Sequence, residues 1–98
     1  MTRSIQHLRE KLQRQWESCQ RGVRCCENHD QDRDRLLDWL GRHDRNPHHT
    51  LWREILRGNR SDLRELLLGS ERIPEGDSFW RQMVSSSPFG LLDPPVKN

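Results

Sequence analysis

Ile5, Leu8, Leu12, Trp16, Cys19, Val23 and Cys26 follow one another at steps of 3, 4, 4, 3, 4 and 3. Steps of three and four keep side chains on one face of an α-helix, whereas a strand, with a period of two, would scatter them over both faces. A helix over 4–26 is therefore predicted. Thr2 or Ser4 can cap its start, and Arg, Gln and Glu fill the opposite face. Gly22 lies inside the pattern and costs about 1 kcal/mol relative to Ala, so the last turns are expected to fray.

The rest of the chain repeats this rhythm in shorter pieces. Residues 27–35 contain no apolar member and read as a hinge or as the solvated first turn of a second helix. Leu36, Leu37, Trp39 and Leu40 form a stripe that stops at Gly41. Asn46-Pro47 reads as a cap followed by Pro at the first helical position; Leu51, Trp52, Ile55 and Leu56 are the buried stripe of that helix, and Gly58 is its end. Ser61 or Asp62 opens a fourth helix, with Asp62 and Glu65 spaced as a capping pair, and Leu63, Leu66, Leu67 and Leu68 form its apolar face up to Gly69. Asp77 or Ser78 caps a last short helix carrying Phe79, Trp80, Met83 and Val84. No segment alternates as a strand would.

These elements predict an all-α fold, a small bundle of three to five helices. It would form a single domain over residues 1–84, followed by a flexible Pro- and Ser-containing tail over 85–98. An internal echo refines the expectation. Residues 50–56, Thr-Leu-Trp-Arg-Glu-Ile-Leu, match residues 78–84, Ser-Phe-Trp-Arg-Gln-Met-Val, in chemical type at every position. At the same offset Leu40-Gly41 meets Leu68-Gly69. Two related helical hairpins after a long first helix would produce this pattern, and amphipathic helices drawn from few residue types would too. Under either origin Trp52 and Trp80 should face the core. Trp16 and Trp39 should join them, with Leu8, Leu12, Leu40, Ile55, Leu56, Leu63, Leu66 and Leu67 packed around.

That core is thin. Apolar residues make up 31% of the 98 positions and charged residues 33%, against about 25% charged in ordinary globular domains. The residue choice is also skewed: fifteen Arg to two Lys, thirteen Leu, eight Ser and no Ala. Ala is the best helix former, so its absence from a helical chain points to a constraint on the nucleotide sequence. A reading frame overlapping another gene, as in compact viral genomes that encode accessory proteins there, is one source of such a constraint. Chance in a short chain is the other.

Several functions are disfavoured. No apolar run approaches the ~20 residues of a membrane span, and the N-terminus lacks the apolar stretch of a signal peptide, so a cytoplasmic or nuclear location is expected. There is no Gly-x-Ser-x-Gly, no phosphate-cradling Gly loop and no His-Glu-x-x-His, and no spacing ties a nucleophile to a base; an enzyme is not expected. Cys25, Cys26 and His29 lie close together, but no second regularly spaced Cys or His pair accompanies them. Cys19 and Cys26 read as small buried apolar residues, the His residues as solvated, and no metal or other cofactor is expected. Three Cys without a signal peptide are expected to be reduced thiols.

Two binding functions remain. Phe79, Trp80 and Met83 resemble the anchor set of a helix that docks in a groove, and Phe89, Leu91 and Leu92 follow them. They would bind another protein or a second copy of the chain, or else fold back to roof the chain's own core. The preferred reading is a non-enzymatic regulatory or accessory protein acting through protein–protein interaction. The alternative is RNA or DNA binding through Arg14, Arg21 and Arg24 on the first helix and Arg53, Arg57, Arg60 and Arg64 further on. Spacings of 7 and 3, and of 4, 3 and 4, could line up guanidinium groups for phosphates. The net charge is only +2, however, and Glu10, Glu17, Glu54 and Asp62 interrupt the strip.

Overall fold

The computed structural model describes residues 2–91, with side chains from His7 onward. Five helices, α1 (Thr2–Asn28), α2 (Asp30–Arg42), α3 (Pro47–Arg57), α4 (Ser61–Gly69) and α5 (Ser78–Ser85), are followed by a 3-10 turn at Phe89–Leu91. There is no strand among the described residues.

At 1.5 Å per residue the 27 residues of α1 span about 40 Å. That nearly equals the longest dimension of the molecule, 42 Å, so α1 is its spine. Among the described side chains the predicted stripe is buried from Trp16 onward, through Cys19, Val23 and Cys26, and Ile5 lies outside those side chains. Leu12 is partly covered and Leu8 is 50% exposed, which corrects the expectation that Leu8 belongs to the core. The other helices pack on the C-terminal half of α1, and residues 7–11 are exposed. Gly22 does not fray the helix, which runs on to Asn28. The Phe89 ring lies where a side chain at Gly22 would be: a Cβ there would sit 2.5 Å from Phe89 Cγ.

The expected hinge over 27–35 shrinks to one residue. Only His29, with φ −135° and ψ 91°, leaves the helical path before α2 begins. The segment is polar because the early turns of α2 are largely solvated. Asp30 and Asp32 lie in the first turn, where the helix dipole favours acids. Leu36 and Leu40 are buried, and α2 passes through Gly41 to end at Arg42.

The caps of α3 form as the sequence predicts. The Asn46 side chain accepts from the His48 amide at 2.9 Å, Pro47 opens the helix, and Gly58 closes it at φ +85°. The capping pair predicted for α4 does not form. Asp62 instead receives two bonds from the Arg60 guanidinium, at 2.9 and 2.8 Å. Within α4 only Leu67 is fully buried, and Leu66 is 43% exposed; a helix of nine residues resting on α1 and α3 covers one edge, not four leucines. Asp77 caps α5 by accepting from the Phe79 and Trp80 amides.

The core joins three tryptophans to the chain's returning end. Trp16 meets Trp80 edge-on with centroids 5.2 Å apart, and Trp52 meets Phe89 in the same way at 5.3 Å. Trp39 is only half-buried and stacks on His43 at 4.3 Å. Trp52 and Trp80 both face inward, as the echo requires. Their surroundings differ, because α2 packs directly on α3, while α4 and α5 dock separately on α1 and α3.

Candidate protein-docking groove

The residues first considered as partner anchors lie mostly inside. Trp80, Met83 and Phe89 are 2%, 0% and 3% exposed, and Phe79 is half-buried against Trp80. After α5 the flexible tail expected from residue 85 instead turns back over the core, with Pro88 and Phe89 buried, which settles for roof the segment that the sequence left open between anchor and roof. The physical reason is the thin core: the Phe89 ring fills a gap above Gly22 and Trp52 that no helix covers. Leu91 remains 41% exposed, and Leu92 lies outside the described residues.

A broad concavity instead lies between the N-terminal half of α1 and the loop from Ser70 to Asp77. Its volume is about 1190 Å³. Leu8, Leu12, Ile73 and Pro74 supply the apolar surface. Around them stand Arg9, Arg14, Arg72 and Arg81, together with Glu10, Glu17, Glu71, Glu75 and Asp77. The two signs nearly cancel. No Cys, His or Ser is among the described residues that line it.

Two glutamines of α1, hidden in the sequence among ordinary helix surface residues, and the indole N–H of the core residue Trp16 hold the loop that forms the far wall. The last carbonyls of a helix lack intrahelical donors. Here Gln20 donates to the Leu67 and Ser70 carbonyls at 2.8 and 2.7 Å, and the Trp16 indole N–H donates to Ser70 at 2.9 Å. Gln13 donates to the Glu71 carbonyl at 2.8 Å and accepts from the Ile73 amide at 3.0 Å. Residues 13, 16 and 20 sit at helical steps of 3 and 4, so one edge of α1 grips the end of α4 and the chain after it. The sequence signal for the groove was Ile73-Pro74, an apolar pair in an otherwise charged loop.

Two members of the arginine series are held by acids, Arg60 by Asp62 and Arg64 by Glu27. Arg53 lies over Gly41, and Arg14 and Arg24 are exposed. The Nε of Arg21, a half-covered residue, is buried without a hydrogen-bond partner. Arg57 and Arg64 do share a smaller cleft, about 230 Å³, with Arg33, a residue outside the predicted series. Glu27 lines that cleft, and Arg33 itself pairs with Asp30.

The thiols divide. Burial pushes Cys19 up to about 12, against a hydrogen bond with Ser87 that lowers it. Cys26 is likewise pushed up to about 12, by burial first and then by neighbouring Cys25 and Asp32. Cys25 is half-exposed, and His29 and Asp32 bring potential metal-ligating atoms beside its sulfur, all within 4.8 Å of one another. Among the described residues no helix is long and apolar enough to cross a membrane.

No family model, curated protein or solved structure matches this chain.

Proposed function

We propose that this chain is a non-enzymatic accessory protein that receives an amphipathic helix of a partner protein in the groove between α1 and the 70–77 loop. The observation that carries the reading is a half-exposed Leu8 beside Leu12, Ile73 and Pro74, inside a rim of both charge signs. Leu8 and Leu12 are one turn apart and offer an apolar ridge to residues spaced i, i+4 on a partner helix. A rim of mixed sign suits a partner that carries both signs beside its apolar face, whereas phosphates would meet as many acids as bases. The Arg, Leu and Ser bias without Ala supports an origin in an overlapping, virus-type reading frame, with a cytoplasmic or nuclear place of action.

The test is affinity capture from cell extract with the wild-type chain and with Leu8→Asp/Ile73→Asp. Samples are split between nuclease-treated and untreated and washed at two salt levels. A protein captured by wild type, resistant to nuclease and salt and lost with the double variant, is the expected result. Recovery of nucleic acid alone, removed by the high-salt wash as phosphate contacts require, would overturn it in favour of the arginine faces. A partner retained equally by the double variant would remove the groove from the argument. Light scattering at increasing concentration separates self-association from hetero-binding.

A further inference from the structure

We propose that Cys25, His29 and Asp32 form a three-ligand site for a divalent transition metal of the zinc class, at the junction of α1 and α2. The three residues are spaced i, i+4 and i+7, so one face would carry them if the helix were continuous. It breaks at His29 alone, and the ligand atoms still lie within 4.8 Å of one another.

The distances suit the metal. Zinc binds sulfur at about 2.3 Å and imidazole nitrogen at about 2.0–2.1 Å in tetrahedral geometry, which places the two donors about 3.6 Å apart. Cys25 Sγ and His29 Nδ1 are 3.7 Å apart. The same Nδ1 lies 2.9 Å from the Cys25 carbonyl. In the metal-free chain it can carry the ring proton and donate to that oxygen; for Nδ1 to bind a metal, the proton moves to Nε2 and the ring turns from the carbonyl towards Cys25 Sγ.

His29 Nδ1 meets the Cys25 carbonyl that α1 leaves without a partner at its end, as His43 Nδ1 meets the Trp39 carbonyl at the end of α2, but it does not cap α2. A residue at the N-terminal cap normally lends a side-chain oxygen to the first free amides. His29 makes no such bond and instead lies against Cys25. Arg33, the nearest cation in sequence to Asp32, is engaged by Asp30 at 3.1 Å. Cys26 is turned into the core and is 1% exposed, so it is not a ligand. Mixed sulfur, nitrogen and oxygen donors select zinc or cobalt over calcium or magnesium, which take oxygen. Because His29 is exposed, a fourth position would be filled by water.

Cobalt(II) is the probe, titrated into the reduced full chain after treatment with a chelator and its removal. One equivalent should produce a sulfur-to-cobalt charge-transfer band in the near ultraviolet, and zinc should abolish it by displacement. Cys25→Ser should remove the band. His29→Asn and Asp32→Asn should each weaken binding by about tenfold or more, while Asp30→Asn leaves it unchanged. All four positions are at the surface or half-covered, and circular dichroism verifies that each variant folds. Absence of a saturable band at one equivalent, or its survival in Cys25→Ser, would overturn the proposal. So would unchanged affinity in both His29→Asn and Asp32→Asn.

Discussion

Gly22 has one sign in an isolated helix and the opposite sign in this fold. Ala there would gain about 1 kcal/mol of helix propensity, but its Cβ would meet the Phe89 ring at 2.5 Å from Cγ and 2.9 Å from Cε1. Overpacking of this kind costs about 1–3 kcal/mol, and the rigid ring cannot swing aside without uncovering Trp52. Gly22→Ala should therefore lower the thermal midpoint, and Gly22→Ala/Phe89→Leu should recover part of the loss; a midpoint raised by Gly22→Ala would disprove the contact. The thiols give a second expectation. Their raised values mean that Cys19 and Cys26 stay protonated in the fold while thiols of the unfolded chain ionise near their ordinary value of 9.0. The folded chain then binds more protons, so their contribution is fully present below about pH 9 and declines as pH rises from there towards 12. Alkylation under native conditions, read by mass spectrometry, should modify Cys25 first, with Cys19 and Cys26 following only on unfolding. At the acid end, the Arg60 hydrogen bond holds the Asp62 carboxyl down to about 2. The pair's small contribution is present above about pH 4 and lost as pH falls through 2, which a carboxyl NMR titration would register.

At the scale of elements, α4 depends on α1 for its C-terminal end. Gln20 supplies two donors to carbonyls that α4 itself leaves unpaired, and Met has nearly the same shape without them. Gln20→Met should cost about 1–3 kcal/mol through unsatisfied, part-buried carbonyls. Hydrogen exchange should show the loss of protection at the Ile73 amide and its neighbours while α2 and α3 stay protected. Uniform loss across all helices would instead mean that the contact is only one among many core contacts. The same grip positions Ile73 and Pro74, so this variant should also weaken capture of a groove-bound partner without touching the groove's own side chains.

Across the whole molecule, one aromatic assembly stands in for a larger core. Trp52 is fully buried, meets Phe89 edge-on and donates its indole N–H to the Met83 carbonyl at 2.8 Å, which ties α3 to α5 and to the returning end. Trp52→Ala should cost about 3–5 kcal/mol, a large part of the roughly 5–15 kcal/mol that stabilises a typical domain. Cooperative melting at the parental temperature would refute this. The radius of gyration, 13.4 Å, exceeds the roughly 12.6 Å expected for a compact chain of this length. The N-terminal half of α1 is one source of the excess, and the same half forms one wall of the groove.

Helix number, the caps of α3 and α5 and the inward facing of three of the four tryptophans were legible in the sequence because they follow from local rules. Asn46-Pro47, Gly58 and Asp77 fix backbone ends through bonds within a few residues, and steps of three and four fix a face. What the sequence left open depended on which face met what. Leu8 and Leu12 belong to one stripe in the sequence, and only the extent of the covering helices decides that the first is exposed and the second partly buried. Phe89 in a Pro- and Ser-rich stretch reads equally as anchor or roof, and the gap above Gly22 decides for roof. Gln13 and Gln20 read as solvated surface until the end of α4 arrives beside them. His29, at a single-residue break, turns a helical spacing into a cluster with Cys25 and Asp32. Local spacing determines the helices; contacts between residues more than forty positions apart determine the groove.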